Sequence, residues 1–360
     1  MDFTTGGRLT VRITAADVGK RVSVRRWSEP GAPGGRFTDA VGVLTSWDGG
    51  VLCLTRRNGE IVRIPESALA AGKVVPAAPA RRRGPAASAA ELSRVAARAW
   101  PPAESEPLGG WTLRASGGFT RRANSVLPLG DPGLPADEAL RRVVRWYAAR
   151  GLPAYIQVTT GAGDTQEELA AALDARGWIR EVSAEVRTAA LAPVAEAGPA
   201  QGVPAAAGAG SAAPPVRLTR TPGPGWLRRY QRFAGDTPEV RRVLCGGPSV
   251  RFAAVPADKP ADGAVDGEDP GGAPAAIGRC VVDGRWAGFS AVEVAPEQRR
   301  RGLASAVMAA LAARALEEGA SAAYLQVETD NGPARAFYDR LGFTVHHTYH
   351  HWRAPDDGGH

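Results

Sequence analysis

The sequence predicts an α/β protein carrying a small all-β module at its N-terminal end. Three observations lead there. Residues 9–76 hold short alternating apolar segments, broken at Asp48-Gly49-Gly50 and Asn58-Gly59. Asp-Gly and Asn-Gly between such segments signal β-hairpins. Residues 107–191 alternate strand-like and helix-like periods in the order β–α–β–α–β. Beyond residue 250 the same alternation returns, now around an arginine-rich turn between a strand and a helix.

Length and composition bound the rest. A chain of 360 residues has room for two or three domains, and 44% hydrophobic content supports folded cores. No apolar run approaches the ~18–20 residues of a membrane span, so no membrane contact is expected. The first residues, MDFTTGGRL, are polar and lack the apolar segment of a secretion signal. Cys53, Cys245 and Cys280 are odd in number and far apart. That argues against a disulfide framework or a zinc site and suits a reducing cytoplasm, the expected location. The net charge is +7, and residues 1–100 carry 16 Lys and Arg against 8 Asp and Glu. The positive excess therefore lies in the N-terminal part. It could make weak contact with nucleic acid or an acidic protein, or serve solubility alone. Lysine occurs only at 20, 73 and 259, which with heavy Ala, Gly, Pro and Arg use reflects coding bias.

Residues 1–80 form the first expected domain. Its strands are Leu9–Ile13, Arg21–Arg26, Ala40–Ser46, Val51–Thr55 and Glu60–Ile64, enough for a small antiparallel barrel. The run GKRVSVRR…VGVLTSWDGGVLCLTRRNGEIVRIPESAL resembles SH3-like barrels. Trp27 and Trp47 either pack such a barrel or, with Arg25 and Arg26, offer a binding face. Residues 81–106 hold a linker and a helix. The linker composition begins at 77–88, and the helix Ala89–Ala99 turns Leu92 and Val95 inward.

Residues 107–191 are the second α/β unit. Trp111–Ala115 and Phe119–Ala123 are read as a strand pair around Gly117-Gly118, followed by a helix over Ala136–Arg150 and a strand at Tyr155–Thr159. Next come a helix at Thr165–Arg176, capped by Thr165 with Glu168 at its third position, and a strand at Arg180–Arg187. The polar run Thr120–Ser125 either lines a pocket or is an exposed edge. Residues 192–215 have the low-complexity composition of a disordered linker. Residues 216–355 form the last domain, interrupted by an acidic stretch over Ala257–Pro274.

Within that domain, Trp286–Val294 reads as a strand, Pro296 lies in the following turn, and a helix opens at Gly302. A loop that ends a strand and opens a helix presents unpaired N–H groups and the positive end of the helix dipole, which suits phosphate. Gly302 removes a Cβ from the approach, Ala304 keeps the next contact small, and Arg299, Arg300 and Arg301 add charge. An arginine run alone is as readily a solvated face; the continuation gives it meaning. The helix carries apolar residues Leu303, Val307, Met308, Leu311 and Leu316. A strand Ala323–Glu328 follows, then Asn331-Gly-Pro-Ala334-Arg-Ala-Phe337-Tyr338, Leu341-Gly342-Phe343 and a strand Thr344–Trp352.

The order strand, R-x-x-G-x-A, helix, strand, N-x-x-A-x-x-F-Y-x-x-x-G-F resembles the GNAT superfamily of acyl-CoA N-acyltransferases. The resemblance covers about Val250–Trp352 and is nearest to an actinobacterial tandem-repeat type; Ala304 departs from the second Gly found in many members. Trp146-Tyr147 takes the place of Phe337-Tyr338 in the earlier unit, which lacks the arginine motif. The resemblance thus implies tandem GNAT-like α/β repeats with mixed sheets after an SH3-like barrel, the first repeat degenerate and the C-terminal one intact. It implies acetyl-CoA as co-substrate, bound by the Arg299–Ala304 loop, the backbone of Val292 and Val294, and Asn331. Asn331 has a full structural account as a helix cap as well. Tyr338 matches the residue that protonates the departing thiolate, and Glu293 or Glu328 would take the proton from the amine. Transfer would be direct, in a ternary complex, to a primary amine on a small molecule or a protein. The alternative is a non-catalytic module that senses CoA or binds nucleic acid or protein. His346 and His350 fall on one face of the last strand and His347 and His351 on the other, so no metal is expected.

Overall fold

The computed structural model describes residues 10–28, 37–75, 85–197, 215–233, 235–257 and 272–355. Most of the expected linker at 192–215 and of the acidic stretch Ala257–Pro274 therefore lies outside the described residues. In chain order the strands are β1 (Arg21–Trp27), β2 (Phe37–Asp48), β3 (Val51–Thr55), β4 (Ile61–Pro65), β5 (Leu69–Val74), β6 (Glu104–Leu108), β7 (Trp111–Ala115) and β8 (Leu127–Pro128). They continue as β9 (Tyr155–Thr160), β10 (Ile179–Ala190), β11 (Arg217–Thr219), β12 (Ser249–Val255), β13 (Ala276–Asp283), β14 (Trp286–Val294), β15 (Ala322–Glu328) and β16 (Thr344–Arg353). The helices are α1 (Ala89–Ala99), α2 (Ala136–Ala148), α3 (Glu167–Ala175), α4 (Leu191–Glu196), α5 (Pro224–Arg229), α6 (Pro238–Cys245), α7 (Leu303–Glu317) and α8 (Gly332–Arg340). None is long and apolar enough to cross a membrane among the described residues.

The chain divides into two compact units. The first comprises 1–81, 158–183 and 347–360; the second comprises 82–157 and 184–346. The first unit holds an antiparallel five-stranded sheet of order β4-β3-β2-β1-β5. Alternation makes one face of it a core: Val22, Val24, Leu44, Leu52, Leu54 and Ile64 are all fully buried. The β2–β3 hairpin turns on Gly49 (φ 57°) and Gly50 (φ 75°), the two left-handed positions that a two-residue turn of this kind requires. The order is open, with β4 and β5 at its edges, and no pair among the described residues closes a barrel. The fifth strand is Leu69–Val74, whose small residues give no alternation to read; of the expected strand Leu9–Ile13, the described residues 10–13 contribute a bridge from Val11 to Gly72.

His350, also in the first unit, is buried between the Thr160 hydroxyl (2.9 Å) and the Ser183 hydroxyl (2.7 Å). Burial, with Arg180 nearby, lowers its pKa to about 3, so the ring is neutral in ordinary buffers. The α3 helix begins two residues later than its sequence suggests. The Thr165 hydroxyl donates to Glu167 (2.7 Å) and to the Ala162 carbonyl (2.8 Å), and no side-chain cap forms at Gln166.

In the second unit, six strands run β11-β12-β13-β14-β15-β10. All neighbours are antiparallel except β14 and β15. A parallel pair needs a crossover, and α7 supplies it. The inner face of α7 (Leu303, Val307, Met308, Leu311, Ala312, Ala315) is buried against Ala287, Phe289 and Leu325 of the sheet and Leu191 and Val194 of α4. On the opposite face, Trp226, Tyr230 and Val243 join Trp100, Phe119, Phe252 and Ile277. A three-stranded sheet β6-β7-β8 completes the unit. The hairpin partner of β7 is β6, through Gly109-Gly110, and not Phe119–Ala123. That stretch is a 3-10 turn held by Asn124, which accepts from the N–H groups of Ser116 and Gly118 and donates to the carbonyls of Phe119 and Thr120.

Candidate active site

The site begins where two strands part. β14 and β15 pair from Trp286–Ala322 to Phe289–Leu325 and no further, although both strands continue. A bulge starts the divergence: Ala291 has φ 51°, and the β13–β14 register shifts between Ile277 and Arg279. Past the bulge, the Ala295 N–H bonds to the Ala275 carbonyl on the β13 side. Strand alternation then turns the N–H groups of Val292 and Val294 the other way, into the gap left by β15. Their side chains lie on the α7 face, half-buried against that core.

The gap leads to the arginine loop. After a 3-10 turn at Pro296–Gln298, Arg300 (φ 63°) and Gly302 (φ 77°) take left-handed conformations, and α7 starts at Leu303. Holding a non-glycine residue such as Arg300 there costs on the order of 1–2 kcal/mol, strain characteristic of functional loops. The first helical bond is from the Ala306 N–H to the Gly302 carbonyl (3.0 Å), so the N–H groups of Leu303, Ala304 and Ser305 have no partner within the helix. Arg299, Arg300 and Arg301 are exposed at its mouth, with Arg301 also bonded to Gln298.

Two carboxylates and a phenol flank the gap. Glu293 is half-buried and points away from α7: its Oε2 accepts the Gln231 N–H at 3.0 Å. Burial raises its pKa, opposed by that hydrogen bond and by Arg232 and Arg229. Glu328 ends β15 and is engaged by Arg232 at 2.5 Å. Tyr338 lies on the α7 side, its ring 5.2 Å from Phe337 and 5.9 Å from Phe343. Loss of solvent around the phenol pushes its pKa up to about 12. Asn331 caps α8 by accepting the Ala334 N–H at 3.1 Å. Glu293 and Tyr338 therefore approach from opposite faces of the sheet.

Several residues at this site carry no motif. Gln231 and Arg232 come from the turn after α5. α8, which holds Tyr338, has no fully buried residue of its own. It packs Ala334, Phe337 and Tyr338 half-buried against the α7 core, and ion pairs add to that hold: Arg187 bonds Glu185 (2.7 Å) and Asp339 (2.7 Å), and Arg335 bonds Glu185 (2.9 Å). The signal available for Arg187 is a pair of charges, Glu185 and Arg187, on one face of β10. Among the described residues, no three His, Cys, Asp or Glu side chains group as a metal would require.

This fold and this parted strand pair define the GNAT class, and the protein is an acyltransferase of that class. A GCN5-related N-acetyltransferase from Kribbella flavida matches with a TM-score of 0.51 and 17% identity, over 76% of this chain and 96% of its own. Residues 87–352 match the family described as "Probable histone acetyltransferase Rv0428c C-terminal", and the chain belongs to that family. It is 28% identical to "Probable histone acetyltransferase Rv0428c" of Mycobacterium tuberculosis, across 92% of this chain and 93% of that protein. It is 26% identical to "Uncharacterized N-acetyltransferase YobR" of Bacillus subtilis, across 73% of this chain and 97% of that one.

Proposed function

We propose that the protein transfers the acetyl group of acetyl-CoA directly to a primary amine, in a ternary complex. The observation that carries this reading is the parted strand pair: the free N–H groups of Val292 and Val294 lead without interruption to the left-handed turn at Gly302 and the N-terminus of α7. The pantetheine arm fits the gap as an added strand, its amides meeting Val292 and Val294. The pyrophosphate fits the N–H groups of Leu303 and Ala304, with Arg299, Arg300 and Arg301 neutralising it. One β14 amide would polarise the thioester carbonyl.

Glu293 is the better placed base. It lies on the face opposite α7, and its raised pKa brings a carboxylate nearer to the task of deprotonating an amine. Glu328 is instead engaged by Arg232. Tyr338 keeps its proton at neutral pH and gives it to the departing thiolate. Asn331 shapes the turn beside the cofactor through its cap.

The acceptor is an amine on a small molecule or a protein. The relatives' histone acetyltransferase descriptions favour a protein amine. Residues 107–191, read as a degenerate repeat, would support that side, since Phe119 and Ala123 share the core face with Ile277 and Tyr230. The sheet of the first unit, in the SH3-like reading, would guide a macromolecular acceptor. The test is calorimetric titration with acetyl-CoA of the wild type and of Arg301→Glu/Gly302→Asp. Binding that the variant loses is expected; a wild type that does not bind would end this reading.

A further inference from the structure

A small recess sits at the apex of the parted strands. It is lined by Trp100, Arg279, Gly288, Ser290, Tyr324 and Gln326, and its volume is about 10 Å³, space for one water-sized group. Ser290 and Gln326 are the first residues past the last β14–β15 pair. The loop that would hold the phosphates is at the other, C-terminal end of β14. A thioester arm entering from that loop and running back along β14 therefore brings its acyl end to this recess.

The far wall of the recess is Tyr324, and three features fix it. Gly288 stands opposite Tyr324 in the strand register, and a Cβ at Gly288 would lie 2.4 Å from the phenol ring and from its hydroxyl. Glycine at 288 is thus what allows the ring to lie across β14. The ring meets Trp286 edge-on, with centroids 6.2 Å apart. Beside it, Arg279 is fully buried and tied to the carbonyls of Leu244 (2.8 Å), Ala99 (2.7 Å) and Gly246 (3.1 Å). The Trp100 ring covers its guanidinium at 4.4 Å. A wall built this way does not yield to a longer chain, because close-packed interiors accommodate even one methylene poorly.

We infer that Tyr324, laid over Gly288, is the stop that limits the acyl group to acetyl. This rests on the reading of the parted strands as the acyl-CoA site. One water-sized space takes a methyl group, and each further methylene must displace the Tyr324 ring or leave the recess.

The test is calorimetric titration of the full chain with CoA, acetyl-CoA, propionyl-CoA and hexanoyl-CoA. Acetyl-CoA is expected to bind as tightly as CoA or tighter, propionyl-CoA about 10-fold more weakly, and hexanoyl-CoA more weakly still. Tyr324→Leu, which shortens the wall, should recover most of the hexanoyl-CoA loss while leaving CoA binding within about 2-fold. Equal affinity for all acyl chains in the wild type would overturn the inference and leave the acyl-CoA site standing. Failure to bind CoA itself would overturn both. A folded Tyr324→Leu that still rejects hexanoyl-CoA would remove Tyr324 from the role. The wild-type series decides the size limit even if that variant does not fold.

Discussion

Arg187→Ala is expected to unfasten α8 and, with it, Tyr338. Arg187 is 3% exposed and spans two carboxylates, Glu185 and Asp339, each at 2.7 Å. Breaking a buried pair typically costs 3–5 kcal/mol, mostly because the other charge stays buried and alone. Here the cost is smaller. Glu185 retains Arg335 at 2.9 Å, and Asp339 is largely exposed and can turn to water. A loss of about 2–3 kcal/mol follows, or about 3–6 °C in Tm at this size. Because α8 buries no residue fully, the loosening should also reach catalysis. The turnover rate should fall by about 10-fold, with acetyl-CoA affinity changed less than 3-fold, since a positional error at a reacting group costs rate before binding. Thermal unfolding, acetyl-CoA titration and steady-state kinetics on an accepted amine read the three numbers. An unchanged Tm and turnover rate would refute the claim that this ion network positions Tyr338.

The other predictions concern protons. Tyr338→Phe should lower turnover by about 100-fold and leave acetyl-CoA affinity unchanged, because only the proton donor is lost; wild-type turnover would remove Tyr338 as the acid. In the wild type, the rate should rise with pH through a pKa above the ordinary carboxylate range, since burial raises Glu293 and only the ionised form accepts a proton. Glu293→Gln should abolish that limb and cut the rate by about 100-fold or more; a limb that survives would point to Glu328. His350 has a folded pKa of about 3 against an ordinary value of 6.5, so below pH 6.5 the unfolded chain binds the extra proton and stability falls with pH. At pH 5 the loss is about 2 kcal/mol. His350→Asn should flatten the Tm profile between pH 6.5 and pH 4, and an unaltered slope would contradict the burial argument.

The parts of this molecule that were legible in sequence are those where one local interaction dominates. β3, β14 and α1 have the bounds their periodicity and flanking turns predict, and in the structure the Ser88 Oγ caps α1 by accepting the Glu91 N–H at 2.9 Å. Tertiary hydrogen bonding overrode local signals elsewhere. Thr165 has the chemistry of a cap but spends its hydroxyl on Glu167 and Ala162. The run Phe119–Ala123 looks extended, yet Asn124 gathers four backbone groups around itself and curls it. Leu69–Val74 was missed because Ala70, Ala71 and Gly72 carry no alternation, and pairing with β1 is what makes it a strand.

At the site the same division follows the chemistry. Val292, Val294, the Arg299–Ala304 loop, Asn331 and Tyr338 fall within one stretch of strand, loop, helix, strand and helix, so their spacing is fixed by secondary structure and can be read. The opposite face is assembled otherwise. Trp100 ends α1, Arg122 stacks on it at 5.4 Å, Gln231 and Arg232 follow α5, and Arg279 sits mid-strand in β13. These residues lie far apart in the chain and share no spacing, so no motif announces them. A site that must present the same surface to CoA is constrained along its sequence. A wall that need only suit its own acceptor can be drawn from any loops that reach it, and it is there, around Glu293 and Arg232, that substitutions should change which amine is taken while leaving acetyl-CoA binding intact.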